Sequence, residues 1–283
     1  MRDGSPSATA QRAAVLRAVH HRYDRPRVLD DPVAIRLLDR ATATVVETDL
    51  ARFDTPALRR LRATIAFRSR YAEDALHDAV ERGVAQYVVL GAGLDTFAYR
   101  SPLAAALRVF EVDHPETQAW KRARLRTAGI DPPAALRFVP TNFEREPFVD
   151  ALVRGGLDTG APTFVAWLGV TIYLSRDAIR RTLAALATLA PGSAVVFDYS
   201  VPADALPAPA RSARASMAAR AADAGEPWLT YFDPSEAAST LCALGLTVRE
   251  DVGPDQAIDR YFRMRDDGLR PGTGARLVRA TIG

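Results

Sequence analysis

The chain is short of the residues that mark several protein classes. Its single cysteine, Cys242, has no partner for an intrachain disulfide, which suits a reducing compartment. Lys121 is the only lysine among 37 basic residues, and the net charge is just +3. The four histidines (His20, His21, His77, His114) show no metal-ligand spacing with Cys242, so no metal is expected. The longest apolar run, 163–174, is too short to span a bilayer and contains Gly169. The opening residues MRDGSPSATAQR lack the apolar stretch of a signal peptide. These features predict a cytoplasmic protein without a membrane partner. Arginine clusters at 59–62 and 121–126 lack interleaved aromatics, so they read as solvated helix faces and predict no nucleic-acid partner.

What remains is ordinary globular composition, 48% hydrophobic and 25% charged over 283 residues, enough for one large α/β domain with additions. The run QYVVLGAGLDTFAYR, residues 86–100, organises the rest. Gln86–Leu90, apolar from Tyr87 onward, reads as a strand buried on both faces. Gly91-Ala92-Gly93 lets the backbone turn tightly and approach a ligand closely. Asp95-Thr96 then starts a helix. A second apolar strand, 107–112, runs through Glu111 to Asp113, and an acid about twenty residues past such glycines is where a ribose hydroxyl pair is held. The third glycine of a dinucleotide fingerprint is missing, and no Walker lysine follows. That argues against a nicotinamide oxidoreductase and for a nucleoside cofactor without phosphates.

Strand–helix alternation continues, with further strands at 136–139, 163–168 and 194–199, and late strands at 246–250 and 275–281. Helices are predicted at 97–103, 115–127, 147–154, from the Ser175 cap to 189, and at 234–244. This pattern argues a parallel sheet with helices on both faces. Before it lie three predicted helices: one ahead of Asp24, one capped by Asp31-Pro32 and running to Leu38, and a long one over 56–82. The expected division is therefore an N-terminal helical region, 1–83, and a core, 84–283. Residues 201–231 break the alternation with prolines and an alanine-rich helix. Trp228, Tyr231 and Phe232 close by favour an inserted cap over a plain linker.

GAGLDTFAYR, FEVDHPETQAWKRARL and WLGVTIYLSRDAI resemble the leucine carboxyl methyltransferase-like family of S-adenosylmethionine-dependent O-methyltransferases. The resemblance implies a class I methyltransferase fold, a Rossmann-like doubly wound sheet of seven mostly parallel strands with the two late strands antiparallel. It implies S-adenosyl-L-methionine as cofactor and an oxygen of a small-molecule or peptide-like acceptor, a carboxylate first and a phenol or alcohol of secondary metabolism second, with a catalytically inactive ligand-binding protein of this fold as the rival that departures at Asn142 and Leu168 keep open. It places Gly91, Gly93 and Asp113 at the cofactor, with Glu111 sharing the ribose or facing the helix side. Asn142 and Phe143 stand where the family has Asp-Leu beside the adenine. Arg68 matches an arginine that binds the methionine carboxylate, with Arg70 as the competing choice. Leu168 stands where some relatives carry a glutamate. Tyr173 is either an acceptor-pocket residue or core. His114, or His20 and His21 if the N-terminal segment folds over the site, are the candidates for a general base.

Overall fold

The computed structural model describes residues 7–142 and 148–283. Its centre is a seven-stranded sheet of order β3-β2-β1-β4-β5-β7-β6. The strands are β1 (Gln86–Leu90), β2 (Arg108–Asp113), β3 (Leu136–Pro140), β4 (Thr163–Trp167), β5 (Ala194–Ser200), β6 (Leu246–Val252) and β7 (Ala275–Ile282). The first five pair in parallel, and β7 runs antiparallel to both β5 and β6. This is the predicted architecture.

Alternation along each strand explains why β1 carries no polar face. Tyr87 and Val89 point into one apolar cluster, with Phe67, Tyr71 and Leu76 of α3 (Pro56–Glu81). Val88 and Leu90 point into the other, with Leu152 of α6 (Phe148–Arg154) and Ile179 and Leu183 of α7 (Arg176–Leu186). Because side chains change face at every residue, a strand covered on both sides must be apolar throughout. Between the strands run α4 (Phe97–Arg100), shorter than predicted and followed by a 3-10 turn at Pro102–Ala106, and α5 (Pro115–Thr127).

The N-terminal helices form a layer beside this sheet. Helix α1 (Ala8–Tyr23) is capped by Ser7, whose hydroxyl accepts from the Ala10 N–H at 3.1 Å. Its Ala14 and Val15 pack with Leu94, the residue after the glycine loop, and Leu16 packs with Ile65 of α3. The helix predicted from Asp31 is only a 3-10 turn, Ala34–Leu37. Asp31 does cap it, accepting from the Ala34 N–H at 3.0 Å, but its other oxygen is taken by Arg17 and Thr96. Helix α2 (Arg40–Thr48) was not predicted. Its β-branched run resembles a weak helix former, and Val46 is its single buried residue.

The segment 201–231 holds α8 (Ala208–Asp223), which has no buried residue, and returns to the sheet through Phe232, packed edge-on against Tyr199. After it come α9 (Pro234–Ala243), then α10 (Pro254–Ala257) leading into a π-type turn at Ile258–Phe262, the last two unpredicted. Among the described residues no helix is long and apolar enough to cross a membrane.

One buried ion cluster ties α1 to α3. Asp24 accepts from Arg62 through Nε at 2.8 Å and Nη2 at 3.0 Å, and from His20 Nδ1 at 2.7 Å. Burial pushes the Asp24 carboxyl up, but the hydrogen bonds from His20 and Arg62 outweigh it and hold the group below its ordinary value. A depressed carboxyl contributes stability that is present above the unfolded pKa, near 3.9, and lost as pH falls through the lower folded value. Asp24→Asn removes the buried partner of Arg62, leaves that charge with the exposed Asp54 at 3.6 Å, and is expected to cost about 3 kcal/mol at neutral pH. Urea titrations from pH 7 down to pH 2 should also show a shallower acid loss in the variant. Parallel stability–pH curves would refute the assignment.

Candidate functional site

The C-terminal ends of β1, β2, β4 and β5 open into two adjoining cavities, of about 520 and 460 Å³. The first lies over the glycine loop. Gly91 and Gly93 adopt φ of 67° and 46°, a left-handed conformation that favours glycine. The N–H groups of Gly91 and Ala92 donate to Val112 O at 2.8 and 3.1 Å, which pins the loop to the end of β2. The loop is also closely covered. A Cβ on Gly91 would collide with Val170, and one on Gly93 would lie 2.9 Å from the Ala10 methyl of α1.

Asp113 faces this cavity from the end of β2. One carboxylate oxygen accepts from the Gly93 N–H at 2.5 Å and the other from the His114 N–H at 2.6 Å. Each oxygen keeps a second lone pair, so the group can still accept from two hydroxyls. Burial raises the Asp113 carboxyl despite those two N–H bonds, and further donors arriving at it would favour the anion. His114, Asn142 and Leu168 line the same cavity, whereas Phe143 lies outside the described residues.

Glu111 does not line either cavity. It is buried on β2 in a 2.6 Å ion pair with Lys121 of α5, whose ammonium sits 5.4 Å from the Tyr99 ring centre. Burial pushes the Glu111 carboxyl up to about 7, against the opposing attraction of Lys121. Glu111 thus faces the helix side, the second of the two placements considered for it.

Arg68 projects from α3 into the gap between the cavities. It lies 3.4 Å from Asp198 Oδ2, at the end of β5, while Asp198 Oδ1 accepts from the Gly169 N–H at 2.5 Å. Gly169 has φ of 72°, and a Cβ there would lie 2.5 Å from the Arg68 guanidinium, so a glycine is what lets Arg68 in. Arg70 points away and pairs with Asp74 on the exposed side of α3. Asp198 was not singled out in the sequence, although it is the acid that ends the apolar run of β5.

The second cavity lies between α1, α3 and α8. Helix α8 presents Ala210, Ala213, Met217 and Ala221 to it, a spacing of three to four residues that explains an alanine-rich helix without buried residues. The two cavities share Thr9, Ala13, Arg68, Gly169, Val170 and Tyr173, which therefore mark their junction. Tyr173 sits on a 3-10 turn after β4. Burial raises its phenol, so the hydroxyl stays protonated near neutral pH. Thr9 is tied in turn to the stretch after α8, since its N–H donates to Glu226 Oε2 at 2.9 Å and its hydroxyl to the same oxygen.

The N-terminal segment does fold over the site, but His20 and His21 line neither cavity. His20 Nε2 accepts from the N–H groups of Val28 and Leu29 at 3.0 and 3.2 Å, so Nδ1 carries the proton given to Asp24. His21 pairs with Asp30 at 2.9 Å. Both expectations of a base from this segment are corrected, because these rings are occupied at the far end of α1. Among the described residues His77, Asp78 and Glu81 cluster on the exposed end of α3 and line neither cavity.

Known proteins share this fold. A DUF574 family protein from Streptomyces avermitilis MA-4680 matches 96% of this chain and 97% of its own at a TM-score of 0.59 and 17% identity. A structure described as "putative methyltransferase", from Thermobifida fusca YX, matches 99% and 96% at a TM-score of 0.60 and 21% identity. Sheet order, antiparallel β7 and the glycine loop with its strand-end acid define a class I methyltransferase. The family model for leucine carboxyl methyltransferase matches residues 10–187. In Bacillus subtilis (strain 168), the protein named "Putative S-adenosyl-L-methionine-dependent methyltransferase YktD" is 34% identical over 95% of both chains. The Mycobacterium tuberculosis protein with the same descriptive name, Rv3787c, is 37% identical over 68% of this chain and 65% of its own. The chain belongs to the leucine carboxyl methyltransferase family and is an S-adenosylmethionine-dependent methyltransferase.

The Glu111–Lys121 pair yields a test of its structural placement. Glu111→Gln leaves a buried ammonium and should cost about 3–5 kcal/mol, whereas pairing Glu111→Leu with Lys121→Met should recover most of that loss. Denaturant titration reads both the loss and its recovery, and calorimetric titration of the double variant with S-adenosylhomocysteine, expected to show retained binding, reads whether Glu111 touches the cofactor. A double variant that is stable yet has lost the ligand would put Glu111 back at the cofactor.

Proposed function

We propose that this enzyme methylates an oxygen of a small-molecule or peptide-like acceptor, and that the oxygen belongs to a carboxylate. In this reading Asp113 accepts from the ribose hydroxyls, Gly91 and Gly93 let the cofactor lie close to β1, and Asn142 borders the adenine. Arg68 clamps the methionine carboxylate through its planar fork. The acceptor enters the second cavity, between the N-terminal helical region and the cap at 201–231. The single exposed cysteine fits a cytoplasmic setting.

The observation that carries this reading is the state of the junction. Among the described residues its only titratable groups are Arg68 and Tyr173. Burial holds the Tyr173 phenol protonated, and Arg68 is a permanent cation. The nearby acids are engaged, Asp198 by Arg68 and Gly169, and Glu226 by Thr9. His114 lines the cofactor cavity alone. Among the described residues an acceptor arriving here meets no free base, which favours one that arrives ionised. A carboxylate, with a pKa near 4, does so at neutral pH.

When bound, S-adenosylmethionine supplies a methyl on a sulfonium whose C–S electron pair leaves with the sulfur. The chain's share of the reaction is to align the oxygen with that methyl and exclude water. Thr9 and Ala13 of α1 and Gly169-Val170 after β4 line the junction where this alignment would take place.

Two outcomes are expected. Product formed with labelled cofactor and carboxylic acids should release volatile methanol in mild base, and retention of the label through base would exclude the ester. Arg68→Lys keeps the charge but loses the fork. It should weaken S-adenosylhomocysteine binding by about tenfold or more, the scale of a charged hydrogen bond, with little effect on 5′-methylthioadenosine, which lacks the carboxylate. Equal losses for both ligands would remove the clamp.

A further inference from the structure

The second cavity carries a charge imbalance that the chain itself does not resolve. Among the described residues it is lined by Arg12, Arg60, Arg68, Arg214 and Arg220 against one acid, Asp198. Asp198 is held by Arg68 and the Gly169 N–H. Arg214 lies 4.3 Å from the Tyr231 ring centre and donates to Val201 O. Arg60 is exposed at the edge.

Arg12 and Arg220 differ from these. Arg12 comes from the second turn of α1 and is half-buried, between the junction residues Thr9 and Ala13. Arg220 comes from the last turn of α8, and its Nε donates only within its own helix, to Ser216 O at 3.1 Å. Among the described residues neither forms an ion pair with an acid. Both line the same cavity, and after burial the Arg220 charge is the largest influence pressing the Arg12 pKa down. Two guanidiniums from separate elements therefore border, with Tyr173, a cavity whose apolar lining includes Ile65, Leu206, Met217 and the alanines of α8. Like charges so placed repel, and a carboxylate between them would convert the repulsion into two charge-assisted hydrogen bonds.

We propose that Arg12 and Arg220 form a two-element clamp for the acceptor's carboxylate, and that the acceptor is an amphiphilic carboxylic acid whose apolar body lies along α8. This rests on the reading of the second cavity as the acceptor site and names the substrate class. The Thr9–Glu226 bond sets the geometry, because it fixes the start of α1 to the residues that follow α8. The clamp exists only while both elements are in place, so acceptor binding draws the cap onto α1.

Octanoate and octan-1-ol, matched in length and differing in charge, are the probes. Each is titrated calorimetrically into protein saturated with S-adenosylhomocysteine. Octanoate is expected to bind at least about tenfold more tightly, the scale of a hydrogen bond to a charged group. Arg12→Gln and Arg220→Gln should each remove about that factor for octanoate and leave octan-1-ol unchanged. The double substitution should lose less than the product of the two, since both act on one anion. Arg60→Gln, on the exposed edge, is the control and should leave the preference for octanoate intact. Arg220 lies on a helix with no buried residue, so its variant tests the clamp even if Arg12→Gln fails to fold. Equal affinities for acid and alcohol, equal losses for both in the variants, or binding of neither would overturn the proposal. The base-lability assay fails independently. A base-stable product with octanoate selectivity intact sinks methyl-ester formation and spares the clamp, and an ester product indifferent to Arg12 and Arg220 does the reverse.

Discussion

The arrangement of the site depends on one buried carboxylate, Asp31. It receives Arg17 Nε from α1 at 2.8 Å, Thr96 Oγ1 from the residue before α4 at 2.8 Å, and the Ala34 N–H at 3.0 Å. Arg17 goes on to donate to Leu94 O, just past the glycine loop. Arg100 stands 3.7 Å from Asp31 and reaches Glu73 of α3. Burial works against the Asp31 charge, but Arg17, then Arg100 and Thr96, hold its carboxyl below the ordinary value. One side chain thus sets three elements relative to one loop. It is the link that sets α1 against the glycine loop itself, where a Cβ on Gly93 would lie 2.9 Å from Ala10.

That placement decides how the space at the sheet edge is divided. A parallel sheet leaves a crevice beyond its strand ends where the order reverses, here between β1 and β4. An uncovered crevice is open to water. Helix α1 covers it, and Thr9 and Ala13 partition it into two cavities that meet at Arg68, Gly169, Val170 and Tyr173. Asp113 and His114 fall on the side of the glycine loop. The apolar face of α8 falls on the other. The division of labour follows from where one helix is held.

The sheet was legible in the sequence because each of its strands is short, apolar and punctuated. The bounds of β1 matched residue for residue, and the other strands differed by one or two at their ends. The glycine loop and Asp113 were legible for the same reason, since a positive φ and a strand-end acid leave local marks. Arg68 needed the family resemblance, because nothing in its own turn of helix separates it from Arg70. What stayed hidden was long-range. Thr9 and Glu226 are 217 residues apart, and Asp31 reads as a helix cap until Arg17 and Thr96 are brought to its other oxygen. Glu111 shows the limit within one strand. Alternation puts it and Asp113 on the same face, yet Lys121 beneath takes Glu111 into the core, and a lone lysine in an arginine-rich chain was the one signal of that partner.

The same contrast between lysine and arginine bears on chemistry. A buried lysine can shed its proton when poorly paired, whereas arginine keeps its charge under almost any burial. Placing the lysine under β2, against Glu111, and arginines around the second cavity leaves that cavity permanently positive among its described residues. A surface of that kind cannot take a proton from an alcohol or a phenol. It lowers the free energy of an anion already formed, and an anion held too tightly attacks slowly. In the proposed clamp two guanidiniums from separate elements, one of them on a helix with no buried residue, would hold a carboxylate less rigidly than a bidentate pair on a fixed element. Positioning without strong stabilisation of the nucleophile is what displacement at a sulfonium methyl asks of its surroundings, and the exposed, alanine-faced cap is the part of the fold suited to supply it.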